Sequence, residues 1–428
     1  MTRVAFITLG CPKNEVDSER MRALVSASAY ELVDSLDDAD VAVVNTCGFI
    51  TAAVEEAVSV SLDLAEWRDA APGRRLIVAG CMVSRYGSDL TEAMPEADAF
   101  LPLAEEPGVL DVIERLTGEA HRHVAGPARI DAGPSAYLQV SDGCFRSCAY
   151  CTIPTIRGPY RSRPLAELLA EAELLVARGA REIVLIGQDI SSWGRDLHSS
   201  ESLADVIRSV AAIPDLRWLR LMYVQPDGIT DDLLATMAAT PEVCHYLDVP
   251  LQHASAPILR AMNRHGSAEE FLGLIDRVRT HMPDAVLRTS LIAGYPGETA
   301  DDVAVLLDFI EGAGIDYVGV FPFSPEEGTA AASLSGQVPD DERLARTQRV
   351  RDTADEVGFA RAEDLVGRRL EVLSEGMDED GVGVGRWRGQ APEVDGIVTL
   401  DAAVDAGSFV TCRITEAYGY DLTGEVLP

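Results

Sequence analysis

Six apolar, β-prone runs recur through the middle of this chain with helical stretches between them, and that alternation limits the fold more than any other feature. The runs are "AYLQVS" (136–141), "EIVLIG" (182–187), "RWLRLM" (217–222), "HYLDVP" (245–250), "AVLRTSLIAG" (285–294) and "DYVGVFPF" (316–323). Stretches such as "PLAELLAEAELLVARG" and "SLADVIRSVAAI" carry their apolar residues at helical spacing. Repeated strand–helix units build a parallel sheet covered by helices. Six of them over residues 133–365 predict a partial (β/α)6 barrel rather than the closed eight-stranded form. In either, chemistry belongs at the carboxyl ends of the strands.

A smaller alternation precedes the barrel, over residues 1–125. "VAFITL" (4–9), "VAVVNT" (41–46) and "LIVAG" (76–80) read as strands buried on both faces. "EVDSERMRALVSASA" and "TAAVEEAVSVSLDLAEW" read as helices between them. The pattern predicts an open parallel α/β sheet. Each of its three strands runs into a cysteine: Cys11, Cys47 and Cys81. Ligand sites of such sheets lie outside the carboxyl ends of the strands, so three cysteines distant in sequence are expected at one edge. Beyond residue 367 the texture changes to short strands with Gly-rich turns, which predicts a small antiparallel β-barrel over 367–428. "HVAGPARIDAGPSA" (123–136) reads as a linker.

Charge narrows the choice of partner. The chain carries 36 basic against 70 acidic residues, a net charge of −34. From Arg368 to Pro428 there are five Arg against twelve Asp and Glu, so the terminal barrel is acidic too. Such a surface attracts basic partners and repels a phosphate backbone. No apolar run is long enough to span a bilayer, and the N-terminus lacks the cleavage site of a secretory signal, so a soluble cytoplasmic protein is expected. Of the 36 basic residues only Lys13 is Lys, which hints at a local need for a compact ammonium.

Eight cysteines in 428 residues are too few for a disulfide scaffold. Three of them, Cys144, Cys148 and Cys151, crowd into "SDGCFRSCAYCTIPTIRG" directly after the first barrel run. Zinc and iron–sulfur sites ordinarily take four protein ligands. A zinc knuckle would lack its fourth ligand nearby. A four-iron cluster on three cysteines instead leaves one iron open, and S-adenosylmethionine can fill that position through its amino and carboxylate groups. An electron-transfer or redox-sensing cluster protein would need no such opening.

The spacing Cys-x-x-x-Cys-x-x-Cys, with Tyr150 just before the last cysteine, resembles the signature of the radical S-adenosylmethionine (SAM) superfamily. The resemblance implies that "LIGQDIS" binds the amino group of SAM through Gly187, Gln188 and Asp189. It implies that "LIAGYPGET" lines the adenine through Gly294, Pro296 and Gly297. "VPLQHAS" also caps a strand, so Gln252 and His253 are expected to face the cavity.

With both three-cysteine sets in view, the whole chain resembles the methylthiotransferase family: an auxiliary-cluster domain, a radical SAM barrel and a TRAM barrel. The resemblance implies two four-iron clusters, one held by Cys11, Cys47 and Cys81 and the other by Cys144, Cys148 and Cys151. Cys244 and Cys412 match no ligand position and are expected to be packing residues. Two branches of the family compete. One modifies an adenosine beside the tRNA anticodon. The other adds a methylthio group to the β-carbon of an aspartate in small-subunit ribosomal protein twelve. "LGCPKNEVDSE", "CTIPTIRGPYRSRP", "YLDVPLQHAS" and "GVFPFSPEEGTAA" resemble the second branch, and the acidic surface agrees with a basic ribosomal protein as partner. The family's chemistry uses SAM both as methyl donor and as radical source, with an electron donor such as a flavodoxin or ferredoxin. Lys13 is then a candidate for screening the auxiliary site or meeting the target carboxylate.

Overall fold

The computed structural model describes residues 1–120, 129 and 133–428, and the expected linker at 123–136 lies mostly outside them. The chain forms two compact units. The first comprises Met1–Asp131, Asp142–Arg146 and Cys151–Arg161, and the second comprises Ala132–Ser141, Ser147–Tyr150 and Ser162–Pro428.

The first unit is built on β1 (Arg3–Thr8), β2 (Glu31–Leu32), β3 (Val41–Thr46), β4 (Arg75–Gly80) and β5 (Ala99–Pro102). They form one parallel sheet in the order β2-β1-β3-β4-β5. Successive side chains of a strand point to opposite faces, and here both faces are covered. Val41, Val43 and Ile77 pack with Met21 and Val25 of α1 (Pro12–Ala27) and Ile113 of α4 (Val109–Thr117). Ala42, Val44 and Val78 pack with Leu64 of α2 (Thr51–Asp69) and Met82 of α3 (Cys81–Ala93). This is why the strands read as continuous apolar runs rather than alternating ones. The short edge strands β2 and β5 were not expected from the sequence.

In sequence, β6 (Ser135–Gln139) leads to the cysteine loop, which is bracketed by two-residue strands β7 (Ser141–Asp142) and β8 (Arg161–Ser162) and contains α5 (Ile153–Ile156). In the second unit, β6 is joined by β9 (Glu182–Ile186), β10 (Trp218–Leu221), β11 (Val243–Asp248), β12 (Val286–Ala293) and β13 (Tyr317–Pro322). The six are parallel, in the order β13-β12-β11-β10-β9-β6, the open (β/α)6 arrangement expected. Helices α6 (Leu165–Ala177), α7 (Leu203–Ala211), α8 (Asp231–Ala239), α9 (Ala256–Ala261), α10 (Ala268–His281) and α11 (Ala300–Ala313) occupy the crossovers. The long α12 (Asp340–Glu363) then leads out of the sheet.

The C-terminal strands β14 (Arg369–Met377), β15 (Gly383–Trp387), β16 (Val398–Leu400), β17 (Phe409–Tyr418) and β18 (Asp421–Val426) close a barrel in the order β14-β15-β16-β18-β17. One expectation needs correcting: the barrel is not wholly antiparallel, because β16 and β18 pair in parallel. An odd number of strands cannot close a ring by alternation alone, so one parallel pairing is unavoidable. Cys244 and Cys412 are fully buried in packing positions. Among the described residues no helix is long and apolar enough to cross a membrane.

Candidate active site

The carboxyl edge of the first sheet gathers three thiols. β1, β3 and β4 are neighbours, and the chain leaves each through a cysteine: Cys11 caps α1, Cys47 directly follows β3, and Cys81 opens α3. Asn14, fully buried on the first turn of α1, ties two of them together. Its Oδ1 accepts from Cys11 Sγ at 3.3 Å, its Nδ2 lies 3.8 Å from Cys81 Sγ, and the same nitrogen donates to the Thr46 carbonyl at 3.0 Å. The turns are too tight for side chains. A Cβ on Gly10, whose φ is +106°, would stand 2.8 Å from Cys47 Cβ, and one on Gly48 would stand 2.8 Å from the Met82 backbone.

Burial sets the electrostatics of this edge, and only a bound cation would hold its sulfurs as thiolates. Burial pushes the Cys81 thiol up to about 12, and the neighbouring Cys47 and Cys11 add to the rise while Arg157 opposes it. Burial also raises Cys47, against the pull of Arg157 and Lys13. The three sulfurs thus feel one another's charge. Metal binding takes the protons such thiols hold. Among the described residues no three His, Cys, Asp or Glu side chains meet closely enough for a single ion. A four-iron cluster makes a different demand, since each cysteine binds a different iron.

Arg157, the C-cap of α5, is the main charged neighbour of this edge. Its Nη2 donates to Asp17 Oδ2 at 2.7 Å and to Cys81 Sγ at 3.5 Å, and its Nη1 donates to Asp142 Oδ1 at 3.2 Å. Beyond them Glu106 is buried, with one carboxyl oxygen unpartnered among the described residues. Burial, reinforced by Asp17 and opposed by Arg157, pushes Glu106 up to about 9. In the cysteine loop, the Arg146 amide donates to Cys144 Sγ at 3.3 Å and the Cys144 amide donates to the Gly158 carbonyl at 3.4 Å.

The second unit holds the remaining candidate positions. Tyr150 and Ala149 pack against Ile258, Met262, Tyr295 and Phe323. Arg264 donates to Cys148 Sγ at 3.7 Å and is anchored on Gln225 Oε1 at 2.9 Å and the Pro250 carbonyl at 2.7 Å. At the end of β9, Asp189 accepts from Ser191 and Ser192. The side-chain nitrogen and oxygen of Gln188 are buried with no partner among the described residues, as is Ser141 Oγ. A Cβ on Gly187 would come 2.6 Å from that Ser141 oxygen. Orphaned polar atoms packed closely against the glycine fit a polar ligand, because burying them unsatisfied is costly.

The turn after β12 is held from beneath. The Gly294 amide donates to Glu298 Oε2 at 2.9 Å, and the Gly297 amide donates to the Gly336 carbonyl at 2.8 Å, with Pro296 between them. His253 corrects an expectation. It is fully buried rather than facing a cavity: its Nδ1 accepts from the Ala254 and Ser255 amides at 2.9 Å, and its Nε2 lies 3.4 Å from Glu298 Oε2. Asn14, Ser141, Arg264 and Glu298 were missed in the sequence, and Arg157 was quoted only as part of a motif. The signal for Arg157 was its place in "TIRG", six residues past Cys151.

Comparison with known proteins agrees with this architecture. Residues 3–102 match the family described as uncharacterized protein family UPF0004, residues 138–310 the radical SAM superfamily, and residues 366–427 the TRAM domain. Ribosomal protein uS12 methylthiotransferase RimO of Moorella thermoacetica is 44% identical over 438 residues, covering 100% of each chain. Its counterpart in Geobacter sulfurreducens is 42% identical over 440 residues, covering 99% of this chain and 98% of the relative. Among solved structures, the radical SAM methyltransferase TsrM of Kitasatospora setae superposes with a TM-score of 0.55 at 15% identity, covering 88% of this chain and 79% of that one. The cobalamin-dependent radical enzyme OxsB gives 0.54 at 11%, covering 82% and 56%. At those identities the two structures speak for the fold alone. Fold and cysteine loop together define a radical SAM enzyme. Within that class, the chain belongs to the RimO family of methylthiotransferases.

Proposed function

We propose that this protein adds a methylthio group to the β-carbon of an aspartate in ribosomal protein uS12, using two four-iron clusters. The convergence of Cys11, Cys47 and Cys81 at one sheet edge carries this reading, since it supplies a second three-thiol set in addition to the one in the radical SAM loop. Cys144, Cys148 and Cys151 hold the radical cluster. Bound there, the clusters and SAM supply a one-electron reductant, a methyl donor and a source of hydrogen-abstracting radicals.

The chain's own residues bind, orient and exclude water. Gln188 and Ser141 offer buried hydrogen-bonding atoms to the polar end of SAM, and Gly187 lets Ser141 pack close to the strand end. The Gly294–Gly297 turn, braced by Glu298, supports the adenine side. Tyr150 holds the loop against an apolar bed. The acidic C-terminal barrel suits the docking of a basic ribosomal protein. A flavodoxin or ferredoxin serves as electron donor, and the reaction runs in the cytoplasm. We read the chain as three functional parts, residues 1–125, 133–365 and 367–428.

The test is a competition. The anaerobically reconstituted enzyme receives SAM, reductant, small ribosomal subunits and bulk tRNA together, and mass spectrometry follows the methylthio group. Gain on an aspartyl peptide of uS12 is expected. Gain on tRNA alone would replace this reading with the tRNA branch.

A further inference from the structure

The reaction outlined above leaves Arg157 without a role, yet it is among the most constrained cations in the chain. Its side chain is 2% exposed. Its planar fork is clamped from two sides, by Asp17 of α1 and by Asp142 at the start of the cysteine loop, so the guanidinium has one orientation. In that orientation Nη2 also reaches the sulfur of Cys81 at 3.5 Å.

Three thiolates bring three negative charges to a largely buried edge, and two carboxylates already stand there. The third carboxyl, Glu106, is held protonated by burial. Lys13 also stands at this edge, but Arg157 is the cation whose N–H reaches the Cys81 sulfur. Hydrogen bonds to cluster sulfurs and local net charge are among the factors that set an iron–sulfur potential.

We propose that Arg157 is a positioning residue for the auxiliary cluster: held by Asp17 and Asp142, it donates an N–H to the Cys81 sulfur and so raises the reduction potential of the cluster on Cys11, Cys47 and Cys81. This role depends on the three-cysteine reading above, and the test separates the two. An N–H···S bond withdraws electron density from the sulfur and favours the reduced, more negative state. Its loss lowers the potential even where the cluster stays bound.

The experiment uses the full chain with Cys144, Cys148 and Cys151 all changed to Ala, so that only the first set can load. After anaerobic reconstitution, iron is counted and the midpoint is measured by redox titration followed by electron paramagnetic resonance. Two changes are then introduced separately. Arg157→Lys keeps the charge but loses the fork. Asp17→Asn with Arg157→Met removes the buried pair together, and leaves Asp142, whose side chain is 44% exposed, to solvent.

In both, iron should remain at about four per chain. The midpoint should fall, in the double variant by about tenfold in the reduced-to-oxidised ratio, or about 59 mV for one electron. Unchanged midpoints with iron retained would overturn the role of Arg157. So would loss of iron from the double variant with an unchanged midpoint in Arg157→Lys, since Arg157 would then be scaffold only. A parent chain that binds no iron would overturn the auxiliary cluster itself, and this role with it.

Discussion

Glu182 of β9 accepts from Arg386 of the closed barrel at 2.6 Å, and its other oxygen accepts from Arg220 of β10 at 2.7 Å. One carboxylate therefore fastens the C-terminal barrel to the amino end of the six-stranded sheet. All three side chains are at most 1% exposed. Burial alone would raise the Glu182 carboxyl, but the two guanidiniums overcome it and hold it down at about 2. Glu182→Gln leaves Arg220 without its carboxylate and Arg386 with Glu375 alone, and should cost about 3–5 kcal/mol in urea unfolding. The folded-state value lies below the ordinary 4.5, so this stabilisation is complete above about pH 4.5 and lost as pH falls toward 2. The variant should lack that part of the acid dependence. Equal urea midpoints at pH 7 would show that the fastening contributes nothing.

The two cysteine sets predict a simple pattern of metal content. The loaded enzyme should carry about eight irons, four per cluster. Cys11→Ala, Cys47→Ala or Cys81→Ala should each leave about four, as should Cys148→Ala. Function should divide differently. Cys81→Ala retains reductive cleavage of SAM and loses methylthio transfer, whereas Cys148→Ala loses both. Cys244→Ala and Cys412→Ala should keep the full iron content, because both thiols are packed away from any partner set. Full iron in Cys81→Ala would remove that residue from the ligands.

His253 acts by support. Its ring nitrogen accepts two backbone amides that have no water to turn to, and its far side faces the carboxylate that fixes the Gly294 amide. His253→Leu leaves those amides unsatisfied, at a cost of about 1–3 kcal/mol. The loosened turn should weaken SAM binding on the order of tenfold, equivalent to about 1.4 kcal/mol. Equilibrium binding measured alongside thermal unfolding checks both. An unchanged affinity in a destabilised variant would mean that the turn does not touch SAM.

These supports show where the sequence could be read and where it could not. The strands were legible because parallel strands buried on both faces are continuous apolar runs, and β3 falls on the expected residues 41–46. The cysteines at the ends of β1, β3 and β4 were legible because topology converts a strand end into a position. Arg157, Asn14 and the His253–Glu298 pair were not. Their roles depend on side chains meeting across 45 to 140 positions in sequence, which no local periodicity encodes. His253 looked cavity-facing because it caps a strand, but two nearby backbone amides claim its nitrogen. The edge strands β2 and β5, of two and four residues, are too short for a pattern to register.

Lys13 joins the sequence reading to the structure. It sits on the first turn of α1, where the helix dipole disfavours a cation, and it is only 7% exposed. A buried ammonium there needs nearby negative charge to offset its desolvation, and its charge partly opposes the rise that burial imposes on the Cys47 thiol. Arg brings a larger, planar group into the same space, and overpacking of this kind costs about 1–3 kcal/mol. Lys13→Arg should therefore keep its iron and cleave SAM, yet transfer the methylthio group more slowly, by roughly the tenfold that 1.4 kcal/mol in a barrier represents. Single-turnover transfer to uS12 read by mass spectrometry makes the comparison. A rate equal to that of the unaltered enzyme would leave the lone Lys without a part in the chemistry.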